Sequence, residues 1–323
     1  MKNIVYVENK YFVAVTHNGF KLTNLETKEK HYLSFEDVEI LIFDNSQCYL
    51  SAKVIEKCAD NKIGLLFCDR VHSPLSVLES VYGQQNRFER LKCQLSASSK
   101  VKGRLWRKIV ISKIINQAVC LEKIGAERES TEVLKSMTKT VTDHDAHNNE
   151  ACAARLYFKK LFGDDFKRGR TNDLENAGLN YGYAILRALI RRNLVLKGFE
   201  PSIGIHHAST ENPFNLSDDI IEPYRPFVDY YVFKNIMPTK HETLEADDRK
   251  NIIKVLLNKC VIDNHVMYLQ DAIELTIDSF VSSIEAGSLF RYEIILVKRG
   301  RKQLKIEAEC KADMKRAIYL KKS

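Results

Sequence analysis

The sequence predicts an α+β protein, with a small N-terminal β-sheet domain followed by a larger, all-α C-terminal domain and a boundary near residue 88. Three observations predict this. Before the boundary, apolar residues come in short β-branched and aromatic runs; beyond it they recur with helical period. The charge balance changes at the same place: residues 1–88 carry 10 Lys and Arg against 11 Asp and Glu, residues 89–323 carry 40 against 31. A chain of 323 residues is also long enough for two cores without disulfide or metal support.

In order along the chain, NIVYVEN (Asn3–Asn9) and YFVAVT (Tyr11–Thr16) read as strands. His17-Asn18-Gly19 is a turn leading into FKLTNL, and VEILIFD (Val38–Asp44) is a further strand. Ser51–Asn61 has helical spacing through Val54, Ile55 and Cys58, after which KIGLLFC returns to strand. In the second part, Trp106, Val110, Ile114 and Ala118 step by four, as do Val101, Leu105 and Ile109, so one long helix is predicted there with this stripe as core. Further helices fit 149–162, 173–197, 244–258 and 272–285. RYEIILVKRG reads as a strand and KADMKRAIYLKK as a terminal helix.

Composition excludes several classes. Hydrophobic residues at 45% and charged residues at 28% are globular values, and 13 Gly with 6 Pro exclude collagen-like chains. The longest stretch without Asp, Glu, Lys or Arg, 176–186, is too short to span a bilayer, and the N-terminus meets an acid at Glu8, so a non-secreted cytoplasmic protein that does not enter membranes is expected. The eight cysteines form no CxxC pair, which excludes a zinc ribbon and fits a reducing compartment.

The net charge of +8 lies wholly in the second part and gathers in runs: Arg104, Arg107 and Lys108; Lys159, Lys160, Lys167, Arg168 and Arg170; Arg187, Arg191 and Arg192; and ten basic residues from Lys298 to Lys322. Each run alone reads as a solvated helix face, while four in one domain predict a phosphate-binding surface.

Acids and histidines fall in the same domain. Only His206 and His207 are adjacent, in PSIGIHHAST, and Asp219 and Glu222 follow in NLSDDIIEPYRP. With Ser217 as cap, Asp218 and Asp219 would be ordinary first-turn acids that favour the helix dipole. Asp219 and Glu222 stand at i and i+3, one face of a helix, where two carboxylates repel unless a cation lies between them. Pro223 just behind them would kink the helix or hold it open there. Glu150 tops an apolar stripe of Ala153, Ala154, Tyr157 and Leu161, and reads either as a cap or salt-bridge partner or as a third ligand. A Glu, a His and a second acid make a mixed oxygen and nitrogen site suited to Mg²⁺ or Mn²⁺ rather than zinc.

The wording of four separated segments carries a resemblance. EACAARLYF (Glu150–Phe158), NAGLNYGYAILRA (Asn176–Ala188), GIHH (Gly204–His207) and NLSDDIIEPYRPFVD (Asn215–Asp229) resemble, in order, the motifs of the CRISPR-associated adaptation endonuclease and integrase family ("Cas one"), with wording most similar to its type II branch. The resemblance implies that the helical domain (89–323) is catalytic and DNA-binding and that the β domain (1–88) dimerises. It implies a homodimer that joins a dimer of the small partner "Cas two", with type II effector and accessory proteins as further partners. The implied activity is metal-dependent integration of short double-stranded DNA into a repeat array, with Mg²⁺ or Mn²⁺ as cofactor. Carried onto this chain, the ligands are Glu150, His207 and Glu222, with Asp219 beside the metal. Arg155, Arg170 and Arg187 become expected DNA contacts, although a structural ion pair accounts for Arg155 equally well. Two other readings stand beside it: an architectural DNA-binding protein, and a metallohydrolase of small phosphoesters, which a closed pocket would favour.

Overall fold

The computed structural model describes residues 2–70, 72, 74–78, 86–169, 173–262 and 264–285, together with the backbone of 294–295 and 318–320. The chain divides into two compact units: Met1–Gly83 with Lys311–Ser323, and Gln84–Cys310.

The first unit contains β1 (Asn3–Val7), β2 (Tyr11–Val15), β3 (Gly19–Asn24), β4 (Lys30–Ser34), β5 (Val38–Phe43), β6 (Tyr49–Leu50), α1 (Ala52–Asp60), β7 (Gly64–Cys68) and β8 (Pro74–Leu78). One sheet runs β4-β3-β2-β6; in the other, β1, β5 and β7 are parallel neighbours and β8 is antiparallel to β7. Parallel strands are usually covered on both faces, and β1 and β5 are accordingly almost continuous apolar runs. Val5, Val7, Tyr11, Val13, Phe20, Leu41, Phe43, Val54 and Leu65 draw both sheets and α1 into one core. The short strands β4, β6 and β8 carry no strong alternation and are additions to the sequence-based reading.

The second unit is built around α3 (Ser99–Ile124), preceded by α2 (Arg87–Ser96) and followed by α4 (Arg128–Met137), α5 (Asn149–Phe162) and α6 (Leu174–Leu196). Ser98 caps α3 by accepting from Val101 N–H, and Gly125 ends it in the left-handed conformation. Its predicted stripe is buried at Leu105, Trp106, Ile109, Val110, Ile114 and Ala118, while Val101 at its start is half-buried. α6 is capped by Asp173, whose carboxylate accepts from Asn176 N–H at 2.8 Å.

Then come α7 (Asn215–Ile221), α8 (Arg225–Tyr231), α9 (Ala246–Ile253) and α10 (Leu269–Glu285). α7 begins two residues before Ser217, so Ser217 is not its cap and Asp219 lies inside the helix. Pro223 acts as its position predicts: α7 stops, residues 222–224 make one tight turn, and α8 sets off anew. α6 and α8 touch at Gly182, where a Cβ would lie 2.4 Å from Val228 Cγ1, so only glycine admits this approach.

A hairpin of β9 (Lys259–Ile262) and β10 (His265–Tyr268) is added to the helical unit, and β11 (Ile294–Ile295), inside RYEIILVKRG, pairs with β9. One expectation is corrected. Within KADMKRAIYLKK, Ile318–Leu320 form β12, a strand parallel to β1, and not part of a helix; β-branched and aromatic Ile318 and Tyr319 suit the sheet, and pairing with β1 supplies the ladder. The rest of that segment lies outside the described residues, as does most of the basic run from Lys298.

Candidate active site

Two chain segments of the second unit meet at Lys113 of α3, and a third, the loop that carries His207, lies near enough to feel the charge of Glu222. Lys113 sits on the buried side of the helix, seven residues after Trp106, among apolar neighbours. A lysine buried there needs acids, and it has two: its Nζ lies 2.5 Å from Glu150 Oε1 and 2.5 Å from Glu222 Oε2. Burial opposes its charge, but Glu222 and Glu150 together hold its pKa above the ordinary lysine value.

Glu150 enters from the first turn of α5. That turn is held by Asp145, whose carboxylate accepts from Asn149 N–H at 3.0 Å and from Glu150 N–H at 2.8 Å. The preceding chain is contorted, with His144, Asp145 and Asn148 all at positive φ. Below Glu150 the stripe Ala153, Tyr157 and Leu161 is buried, so the acid crowns a core face as its spacing predicts.

Glu222 enters from the turn between α7 and α8. Asn116 of α3 fixes that turn by donating to the Pro223 carbonyl at 2.7 Å, and Tyr224 OH donates to Thr276 Oγ1 of α10 at 2.6 Å. Arg225 Nε lies 3.0 Å from Glu222 Oε1, with its guanidinium over the Tyr183 ring. Burial pushes the Glu222 carboxyl up, but Arg225 and Lys113 outweigh it and hold the group below the usual range, so it is ionised.

The third segment is the GIHH loop. Fully buried Asp219 accepts from the backbone N–H of Ile205 (2.5 Å), His206 (3.1 Å) and His207 (3.1 Å), and its Oδ1 lies 2.7 Å from His207 Nδ1. Gly204 is required here: a Cβ would fall 2.2 Å from the His207 carbonyl and 2.8 Å from Asp219 Oδ2. With Nδ1–H directed at a carboxylate, neutral His207 carries its lone pair on Nε2, the arrangement of an oriented metal-binding histidine. The Asp219 hydrogen bond raises the His207 pKa against its burial, whereas burial lowers that of His206. Trp106 backs the pair, its indole lying flat against His206 with centroids 4.1 Å apart and edge-on to His207 at 5.8 Å.

The structure therefore separates the i, i+3 pair. Glu222 turns to Lys113 with Glu150, while Asp219 turns the other way and serves the loop. His207 lies near enough to Glu222 to respond to its charge. Among the described residues, no three of His, Cys, Asp or Glu gather tightly enough by themselves to enclose an ion; a cation already stands between the two glutamates, and it is Lys113. The donor set nonetheless fits a hard divalent ion: two carboxylates that already share one cation, and an oriented imidazole nearby.

The predicted phosphate contacts fare differently. Arg155 is exposed on α5, and Arg104 and Arg107 are exposed on α3 on either side of Trp106. Arg170 lies outside the described residues. Arg187 Nε is 2.7 Å from Asp218 Oδ1, and Arg191 donates to the Pro213 carbonyl at 3.0 Å, both with guanidinium groups over Phe214. Much of that run braces the start of α7. Sequence reasoning missed Lys113, Asp145, Asn116 and Arg225; the one signal for Lys113 was a lysine inside a stripe read as core.

An acid from α5, an acid from the turn after α7, an oriented histidine and a buried lysine ammonium make a set of groups of the kind found in divalent-metal nucleases and transesterases. The chain belongs to the Cas1 family: the family model described as "CRISPR associated protein Cas1" matches residues 4–267. The chain is 34% identical over 279 residues to a CRISPR-associated endonuclease Cas1 of Neisseria meningitidis, covering 86% of this chain and 87% of the relative. Another relative so named, from Saccharolobus solfataricus, is 26% identical over 90% of this chain and 97% of its own length. Among solved structures, a casposase bound to integration product superposes with TM-score 0.76 at 15% identity, over 97% of this chain and 100% of that one. A Cas1 protein from Thermotoga maritima superposes with TM-score 0.71 at 16% identity, over 88% and 97%. These two likenesses establish the fold.

Proposed function

We propose that Glu150, His207 and Glu222 form the metal centre of this Cas1 family integrase and that Asp219 positions its histidine. As a Cas1 protein the chain is a DNA endonuclease and integrase of CRISPR adaptation. The observation that carries the residue assignment is the convergence of Glu150 and Glu222, from α5 and the α7–α8 turn, on one buried cationic point.

The reaction is a transesterification. The 3′ oxygen of the incoming DNA forms a bond to phosphorus, the bond from that phosphorus to the 3′ oxygen of the target strand breaks, and the proton lost by the first oxygen is balanced by one gained by the second. Mg²⁺ or Mn²⁺, when bound, would supply charge neutralisation and orientation at the phosphodiester. The chain's own residues do the rest. Glu150 and Glu222 hold a fixed pair of anionic oxygens, and Asp219 aims His207 Nε2 away from the loop. Exposed Arg104, Arg107 and Arg155 would receive phosphates of double-stranded DNA.

Further proposals rest on the family. Structures titled as complexes of Cas1 with Cas2 and of a Cas1 with DNA are among those this fold matches, which supports a Cas2-type dimer and DNA as partners here. A homodimer formed through residues 1–88, a type II setting with its effector and accessory proteins, and a cytoplasmic location complete the reading. No helix among the described residues is long and apolar enough to cross a membrane.

Joining of a short duplex into a plasmid that bears a CRISPR repeat, with the partner protein and Mn²⁺ or Mg²⁺, tests the assignment. Glu150→Ala, His207→Ala and Glu222→Ala should each abolish joining while DNA binding persists. Variants that join as well as wild type would put the site elsewhere, and a wild type that only binds would favour the architectural alternative.

A further inference from the structure

Lys113 is a buried charged group of the second unit that the transesterification does not need. Its side chain is 8% exposed, that of Glu222 4% and that of Glu150 29%. The ammonium is thus almost wholly enclosed, and Glu150 forms the more open side of the pair of acids that hold it. Without any ion the group of charges is already balanced: Glu150 and Glu222 face Lys113 and Arg225, while the Asp219 carboxylate is taken up by the GIHH backbone and His207.

A divalent cation held by Glu150 and Glu222 would need the oxygens that Lys113 now holds. The two cations would stand a few ångströms apart in a place where water and salt screen weakly, so each raises the cost of the other. Glu150 and Glu222 in turn would repel if neither cation were present. The four-carbon stem of lysine allows its head to swing without moving α3, and the open Glu150 side is where it can go. Arg225 does not share this position: it lies on the other oxygen of Glu222 and stacks on Tyr183.

We propose that Lys113 is a resident counter-cation that occupies the metal position of the Glu150–Glu222 pair in the metal-free protein, and that divalent ions load by displacing it. Lys113 then keeps the acids together before loading and sets the ion concentration at which the site fills. It is a positioning residue that acts through the two glutamates. This inference rests on the metal-centre reading above and concerns how that same site is regulated.

The test is Mn²⁺ binding to the full chain without DNA, read by the electron paramagnetic resonance of free Mn²⁺ and by thermal melting. Lys113→Met should bind Mn²⁺ about tenfold more tightly or better, because the competing charge is gone. Its melting temperature without metal should fall, and Mn²⁺ should raise it by more than it raises wild type. Lys113→Arg, which keeps the charge, should stay as weak as wild type. A merely structural lysine would lose stability with no gain in affinity, so equal or weaker binding by Lys113→Met overturns the proposal. If Lys113→Met folds only when prepared with Mn²⁺ and unfolds on chelation, the proposal stands; if it stays unfolded with Mn²⁺, the proposal fails. Glu222→Gln separates the two levels. Mn²⁺ binding by wild type that is indifferent to Glu222→Gln defeats the metal centre itself, whereas a loss there with no gain in Lys113→Met defeats this inference alone.

Discussion

Asp219 shows how a single buried side chain can order a whole loop. Its two oxygens accept from three successive backbone N–H groups and from the His207 ring, so it fixes both the path of the loop and the tautomer of the histidine. Removing such a partner commonly costs about 10–100-fold in metal affinity or activity. Asp219→Asn should lower strand joining by about that factor while leaving DNA affinity near wild type, measured by joining and by filter binding in parallel. A second residue-scale expectation concerns Asp229, which accepts from Tyr183 OH in a buried place; burial pushes its carboxyl up to about 6 against the hydrogen bonds that favour its charge. A carboxyl raised on folding stabilises the protein below its unfolded value near 3.8, and that contribution is lost as pH rises through about 6. Wild type should therefore gain about 1–3 kcal/mol relative to Asp229→Asn between pH 7 and pH 4. Urea unfolding of both proteins across that range measures it, and a constant difference would count against the raised value.

At the scale of elements, α3 and the close pair α6–α8 set the geometry. Two polar residues on the inner side of α3 serve the site: Lys113 joins the acids and Asn116 holds the Pro223 turn. Gly182→Ala should cost about 1–3 kcal/mol by forcing α6 and α8 apart at Val228, and Val228→Ala in the same chain should return part of it. Chemical denaturation of the single and double variants checks this, and additive losses would contradict a shared contact. These elements also show what the sequence made legible. The stripe through Trp106 and Ala118 and the helix interruption at Pro223 are local signals, and both were readable. The partners of Lys113 were not, because the acids that satisfy it come from segments far along the chain and nothing local announces a buried ion pair. Glu150, His207 and Glu222 stood out through the wording of their motifs. Spacing alone did not place Asp219, since α7 ends at Ile221, between Asp219 and Glu222, and the two acids turn to different partners.

For the whole molecule, the surplus of positive charge is a statement about affinity and its salt dependence. Arg104, Arg107 and Arg155 are exposed, whereas Arg187 is spent on Asp218. Replacing one of the exposed three with Ala should weaken duplex binding at every sequence and lower the slope of log affinity against log salt by about one. Arg187→Ala should leave the slope unchanged and lower the melting temperature instead. Fluorescence anisotropy titrations at several salt concentrations distinguish the two behaviours.

Trp106 is the chain's one tryptophan, and it lies against His206 and edge-on to His207. All indole emission from this protein therefore originates beside the histidines of the site. Intrinsic fluorescence, normally an average over a molecule, is here a label placed by the fold itself, reading ring contacts at His206 and His207 without any attached dye.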